Sequence, residues 1–268
     1  MNRDQQSRTD QKSGEMQISE RELRSMTREL HELHESTFPG VRKVLDDFAA
    51  NMVTVVRKPS TRRTFFLGAA GAVALGTAAA CSSTSTTTSP STSAKPDANT
   101  YTGDLKVVAL AAALENLAVT AYSGALKLAG DGALGVVPPA VAEFVVTAQK
   151  QHADHSSAWN AVLSNAGKPT VLDAPLSITA DQVKMLNASK SVADAAKVAL
   201  ALEDAAAQTY TFAAANVSDG GGIMTAATIQ PVEAMHAAIL NFVLGQYPVP
   251  NSFIKIDGAI KPDVLTFG

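Results

Sequence analysis

One unit of this chain occurs twice in the same order. Residues 107–126 contain Leu114-Glu115-Asn116-Leu117-Ala118 and then Tyr122, and residues 195–215 contain Leu202-Glu203-Asp204-Ala205-Ala206 and then Tyr210. Each copy is Leu-Glu with a Tyr seven residues after the Glu. Residues 152–163 and 233–244 match in the same way, with His155 aligned to His236, Asn160 to Asn241, and Val162-Leu163 to Val243-Leu244. The first match is offset by 88 residues and the second by 81. Two paired segments repeated in order indicate an internal duplication, which restricts the fold to two copies of one supersecondary unit.

All four segments are rich in Ala, Leu and Val, so helix is the natural expectation. The boundaries expected are 104–129, 139–165, 191–217 and 223–245. Pro138-Pro139 opens the second helix, and Gly220-Gly221-Gly222 separates the third from the fourth. The first and second helices, and the third and fourth, have short connections, so each pair is an antiparallel hairpin. About 25 residues join the second helix to the third, including a short helix expected at 179–187. The fold class is all-α: four long helices with one long central crossover, the layout of a ferritin-like bundle.

The polar residues in these helices are few. After Cys81 the only Glu are Glu115, Glu143, Glu203 and Glu233, and the only His are His152, His155 and His236. Glu115 has Val108, Ala111, Ala112, Ala118, Val119 and Tyr122 around it at helical spacing, and Glu203 has Ala196, Ala199, Leu200, Ala206, Ala207 and Tyr210. Ile229, Ala237 and Leu240 share a face with Glu233 and His236. These carboxylates point into an apolar interior, where a lone charge costs several kcal/mol or neutralises. A shared metal offsets that cost, and carboxylate with imidazole suits iron or manganese. A cluster closed by internal hydrogen bonds is the alternative. Glu143 reads as a solvated first-turn acid. Trp159 reads as core, and Asn160 and Asn241 as helix caps or interhelical hydrogen bonders. Tyr122 and Tyr210 read as packing groups with the hydroxyl on a carboxylate.

Residues 104–245 resemble the ferritin-like superfamily, in particular the ferritin-like domain proteins that bacteria export by the twin-arginine route. The resemblance implies a di-metal pattern: a Glu on the first and third helices and Glu-x-x-His on the second and fourth. By position, Glu115 and Glu203 are the single ligands, Glu233 and His236 the fourth-helix motif, and His155 the second-helix histidine. His152 stands where that pattern has a bridging Glu. The substitution removes a negative charge and a carboxylate bridge, so the site takes a metal pair, one metal or none.

Upstream, the chain changes character. All nine arginines precede residue 64, and residues 1–63 carry 12 basic and 10 acidic groups, net +2. After Cys81 there are 10 lysines and 15 acids, net −5. Between them, Arg62-Arg63-Thr64-Phe65-Phe66 leads into an uncharged Ala/Gly-rich stretch, 64–80, that ends in Ala78-Ala79-Ala80-Cys81. This resembles a twin-arginine signal with a lipoprotein cleavage site at 61–81, with Arg62 and Arg63 as the export signal and Cys81 as the lipidated residue. At about 1.5 Å per residue the apolar stretch covers roughly 26 Å, just short of a ~30 Å hydrocarbon core. Uncleaved, it would be an N-terminal anchor with residues 1–60 in the cytoplasm. In the Ser/Thr-rich linker at 82–103, residues 82–96 have no apolar face and read as a tether.

Residues 1–60 form a charged helical extension. Ser19 and Glu22 make a capping box, and Leu23, Met26, Leu30 and Leu33 form a narrow apolar stripe. Pro39-Gly40 is expected to break the helix before a second piece starting at Val41, Val44, Leu45 and Phe48, giving a short helical hairpin. Residues 246–268, with Pro248, Pro250 and Pro262, read as an irregular tail that wraps the bundle.

One cysteine excludes a disulfide framework and any zinc site built on several thiolates. A net charge of −3 argues against nucleic acid as a partner. No nucleophile–base constellation, phosphate-cradling glycine loop or nucleotide fingerprint is present. Two function classes remain: a metal-dependent redox or storage protein, and a non-catalytic cell-envelope structural or interaction protein that keeps the fold. The partners expected are the twin-arginine export machinery, the membrane reached through the lipid anchor or the uncleaved apolar segment, and a second copy or an envelope protein.

Overall fold

The computed structural model describes residues 19–56, 96–97 and 99–267. Six α-helices and a final 3-10 turn account for most of them: α1 (Glu20–Val56), α2 (Asp104–Gly130), α3 (Pro139–Asn165), α4 (Thr179–Asn187), α5 (Val192–Asn216), α6 (Gly220–Val243) and Pro262–Val264. Arg62, Arg63 and Cys81, with the whole signal segment, lie outside the described residues.

The four long helices α2, α3, α5 and α6 are the duplicated pairs. Antiparallel α2–α3 and α5–α6 are the two most extensive helix contacts in the molecule. The starts have local causes. Ser191 caps α5 by accepting from Asp194 N, and Asp219 caps α6 by accepting from Gly221 N and Gly222 N. The glycine run thus belongs to the first turn of α6 rather than to a separator. A Cβ on Gly221 would lie 2.9 Å from Phe48 Cβ and 3.1 Å from the Val44 carbonyl, so only glycine lets α1 come this close. Pro231, which the expectation of an unbroken helix passes over, sits inside α6 two residues before Glu233. The crossover is pinned by Asn160, whose Oδ1 accepts from Val171 N at 2.7 Å while its Nδ2 donates to Val171 O at 2.9 Å.

The N-terminal extension departs from expectation. It is one helix of 37 residues that runs through Pro39. Proline removes one helical hydrogen bond, here the one to Glu35 O, and crowds the preceding turn, but packing compensates. The residues on both sides of the proline, Phe38, Leu45 and Phe48, are buried against the bundle. At about 1.5–3 kcal/mol per buried side chain, that packing outweighs the ~3 kcal/mol proline cost. α1 lies along both α3 and α6, which touch each other only sparingly, so it fills the groove between them as a fifth helix. Its buried face is Leu23, Thr27, Leu30, His34 and Phe38, while Leu33 from the expected stripe is 47% exposed because it lies off that face. The capping box forms as expected, with Ser19 N donating to Glu22 Oε2 at 2.9 Å and Glu22 N to Ser19 Oγ at 3.2 Å.

The C-terminal tail wraps the bundle as expected. Thr266 N donates to Pro175 O at 2.7 Å, Ser177 N donates to Val264 O at 2.9 Å, and the Phe267 ring sits 5.0 Å from that of Tyr101. Among the described helices only α2 is long and apolar enough to cross a membrane, and most of that stretch is buried inside the bundle.

Phe48→Ala is expected to cost about 3–5 kcal/mol of unfolding free energy by chemical denaturation. A loss below ~1 kcal/mol would mean that α1 unfolds separately from the bundle.

Candidate metal centre

The structure brings all six predicted residues together at the middle of the bundle. Glu115 comes from α2, His152 and His155 from α3, Glu203 from α5, and Glu233 and His236 from α6. None is more than 2% exposed. They form two overlapping groups, Glu115–His152–His155–Glu233 and His152–Glu203–Glu233–His236, and within each group one ligand atom per residue lies within 4.8 Å of the others. His152 and Glu233 belong to both.

His152 faces a carboxylate on each side, with Nδ1 2.7 Å from Glu115 Oε2 and Nε2 3.1 Å from Glu203 Oε1. His155 Nδ1 lies 3.2 Å from Glu233 Oε1 and 3.5 Å from Glu115 Oε1. His236 Nδ1 lies 3.2 Å from Glu233 Oε2 and 3.4 Å from Glu203 Oε2. Its other nitrogen, Nε2, donates to Gln151 Oε1 at 2.7 Å, which fixes the ring with Nδ1 facing the two carboxylates. Gln151 in turn donates to Leu30 O of α1 at 3.4 Å.

The two tyrosines do bond carboxylates, but crosswise. Tyr122 OH donates to Glu203 and Tyr210 OH to Glu115, so each repeat's tyrosine reaches the other repeat's glutamate. Trp159 Nε1 donates to Tyr210 OH at 2.9 Å. Asp154 turns away from the cluster and pairs with Lys150 at 2.9 Å. Glu143 is a half-exposed partner of Arg24, at 3.4 Å.

The electrostatics follow from burial opposed by neighbours. Burial pushes the Glu115 carboxyl up, but His155 and His152 together hold it down at about 2. Glu203 is likewise held well below the carboxylate range against burial, by His152 and His236. Burial disfavours charge on the histidines, yet the carboxylates win. His155 is raised to about 9, chiefly by Glu115, His152 is raised well above the usual value by Glu203 and Glu233, and His236 is also raised, by Glu203. Without metal, the cluster is therefore held by imidazolium–carboxylate pairs.

Three buried atoms of the cluster nonetheless have no hydrogen-bond partner: His155 Nδ1, Glu203 Oε2 and Glu233 Oε1. They lie within ion-pair distance of neighbours but are misaligned for hydrogen bonds. Each orphan costs about 1–3 kcal/mol, and a cation between them would remove that cost. The donor set, three carboxylates and three imidazoles without thiolate, fits iron or manganese. A void of about 20 Å³ adjoins Glu115, His152 and Glu203 and is closed by Tyr210 and by Ile260 of the tail. That is room for about one water-sized ligand.

Residues 103–246, just over half of the chain, match the family described as ferritin-like domain. The chain belongs to that family. No curated protein and no solved structure matches it. For this ferritin-like domain, sequence reasoning missed Gln151 and His34. Gln151 is fully buried between His236 and α1. His34, on α1, stacks on Phe38 with centroids 4.7 Å apart and tilts against His155 at 5.2 Å. Burial, with His155 beside it, lowers His34 to about 4, so it is neutral at pH 7. Both roles depend on α1 lying over the site, which no spacing in the sequence signals.

The pH dependence has a sign. His155 titrates near 6.5 when unfolded and about 9 when folded, so its stabilisation is complete below pH 6.5 and is lost as pH rises through 9. Glu115 falls from 4.5 to about 2, so its stabilisation is present above pH 4.5 and is lost as pH falls toward 2. Metal-free protein is expected to lose Tm from pH 6.5 to 9 and again below pH 4.5, as followed by calorimetry. A Tm that rises between pH 7 and 9 would contradict the charged-cluster reading.

Proposed function

We propose that this is an exported, membrane-tethered ferritin-like protein that holds iron or manganese in the bundle core for redox, oxygen/peroxide or metal-handling chemistry. One observation carries the metal reading: two four-residue ligand groups that overlap in His152 and Glu233 and contain three buried polar atoms without partners. In this reading Glu115 and His155 hold one ion and Glu203 and His236 the other, with Glu233 between them. His152 reaches both halves from the position of the missing carboxylate. Bound iron or manganese would supply one-electron chemistry. The chain's own residues do the rest. Gln151 fixes the His236 ring, the crossed tyrosines orient Glu115 and Glu203, and the apolar walls of the four-helix bundle surround the cluster.

Export, tethering at the outer face of the cytoplasmic membrane, and lipidation of Cys81 are supported by the sequence at 61–81 alone. The twin-arginine machinery is the proposed transport partner, because that route takes folded, metal-loaded domains. The membrane is the second partner, reached through the lipid or through an uncleaved apolar segment.

A second reading is favoured by the contacts of His152. At 2.7 and 3.1 Å from two carboxylates, it closes the cluster by hydrogen bonding alone. In that case the protein is a non-catalytic envelope component, a structural or interaction protein with a degenerate site.

Metal analysis by mass spectrometry separates the two readings. Untagged full chain, expressed with added iron or manganese, is expected to carry roughly one or two ions, the content of a bundle carboxylate site. Glu203→Ala is expected to lose them. If wild type holds about one ion, His152→Glu is expected to raise the count toward about two, since it restores the fourth carboxylate. Wild type free of metal under every loading condition would overturn the metal reading and leave the structural one.

A further inference from the structure

We propose that the apolar pocket on the far side of Tyr122 is a binding site for dioxygen supplying the cluster. The inference deepens the redox reading and rests on it for its purpose, though not for the existence of the site. The pocket has about 50 Å³ of free volume, is lined by α2, α3, α4, α5 and α6, and is partly open, with Ala125, Ala129, Val137 and Ala199 only half-buried. It exists because Ala125 and Ala129 of α2 and Ala196 and Ala199 of α5 leave unfilled the room that larger side chains would take in a bundle core. Tyr122 is part of the wall. Its ring stacks on His152 with centroids 5.6 Å apart, and its hydroxyl is committed to Glu203. A ligand against Tyr122 is therefore one side chain from the cluster.

The lining selects the ligand. A buried water needs two to four polar partners. Among the pocket's side chains only Tyr122 has a polar group, and its hydroxyl already donates to Glu203. Hydrogen peroxide would face the same unmet demand, since a buried polar ligand without partners is disfavoured. Dioxygen is small and non-polar and needs none. Size narrows the choice further. An engineered apolar cavity of about 150 Å³ takes benzene, and a pocket of about 50 Å³ takes a diatomic molecule or a noble-gas atom rather than a ring. Of the two oxidants open to the cluster, the pocket thus favours dioxygen over peroxide.

The test uses the full chain and two probes that need no metal. Crystals pressurised with xenon are expected to show xenon, and no ordered water, between Ala125 and Ala196. In solution, dissolved paramagnetic dioxygen is expected to broaden the methyl signals of Ala125, Ala196 and Val141 well beyond those of Ala112 and Ala148, which are buried elsewhere. Ala196→Leu, with Ala125→Leu as the second filling variant, is expected to abolish both signals. In iron(II)-loaded chain, with iron supplying the electrons and solvent the protons for reduction of dioxygen, the same variants are expected to slow oxygen uptake several-fold and to leave oxidation by added hydrogen peroxide unchanged. Ordered water in place of xenon, uniform broadening across the alanines, or oxygen uptake unaffected by filling would each overturn the proposal. A chain that takes xenon but never iron would overturn the metal reading and leave the pocket without its purpose.

Discussion

Three carboxylates and three imidazoles share a volume that water does not reach, and the register of every long helix answers to that fact. Like charges a few ångströms apart in such a medium repel strongly, so each carboxylate must face an imidazole or a metal ion. Glu115, Glu203 and Glu233 come from three different helices and are matched by histidines from two. Rotating one helix by a single residue would swing its ligand about 100° away and strand a buried charge. The crossed tyrosine bonds tighten the lock. Because Tyr122 serves Glu203 and Tyr210 serves Glu115, neither hairpin can settle into its final position before the other is present.

Most of this could be read in advance, for reasons particular to this chain. The helices around the site are nearly all Ala, Leu and Val, so the few Glu and His stand out: spacing names Glu115, Glu203, Glu233 and His236, and the resemblance to the ferritin-like superfamily adds His152 and His155. The boundaries of α3 and α4 fall where expected, and α2, α5 and α6 differ by up to three residues. At α6 the difference has a cause: an Asp219 cap draws the glycine run into the first turn, where α1 needs its smallness.

What could not be read is what covers what. Periodicity identifies the apolar face of a helix but not the surface opposite it. The apolar face of α1 was visible, yet nothing in it indicates the groove between α3 and α6. Pro39 argued for a break, and only the burial of Phe38, Leu45 and Phe48 reverses that argument. The roles of His34 and Gln151 follow from the same placement, so one unforeseen contact accounts for every missed residue at the site. The crossing of the tyrosines was hidden for a related reason. Sequence distance ties each Tyr to the Glu of its own repeat, whereas the fold presents it to the other.

The position of α1 also sets a condition on membrane topology. The arginine pair and the apolar stretch lie in the chain between α1 and the bundle. While α1 occupies its groove, both halves of the protein are on the same side of any membrane. If the stretch carries the bundle across with the N-terminus held back, α1 must withdraw, and the faces of α3 and α6 above His155 and His236 lose their roof. The protein before transport would then have five long helices and a closed site, and the protein after transport four long helices and an open groove. One sequence would specify a sealed precursor for assembling the centre and an accessible mature form for using it.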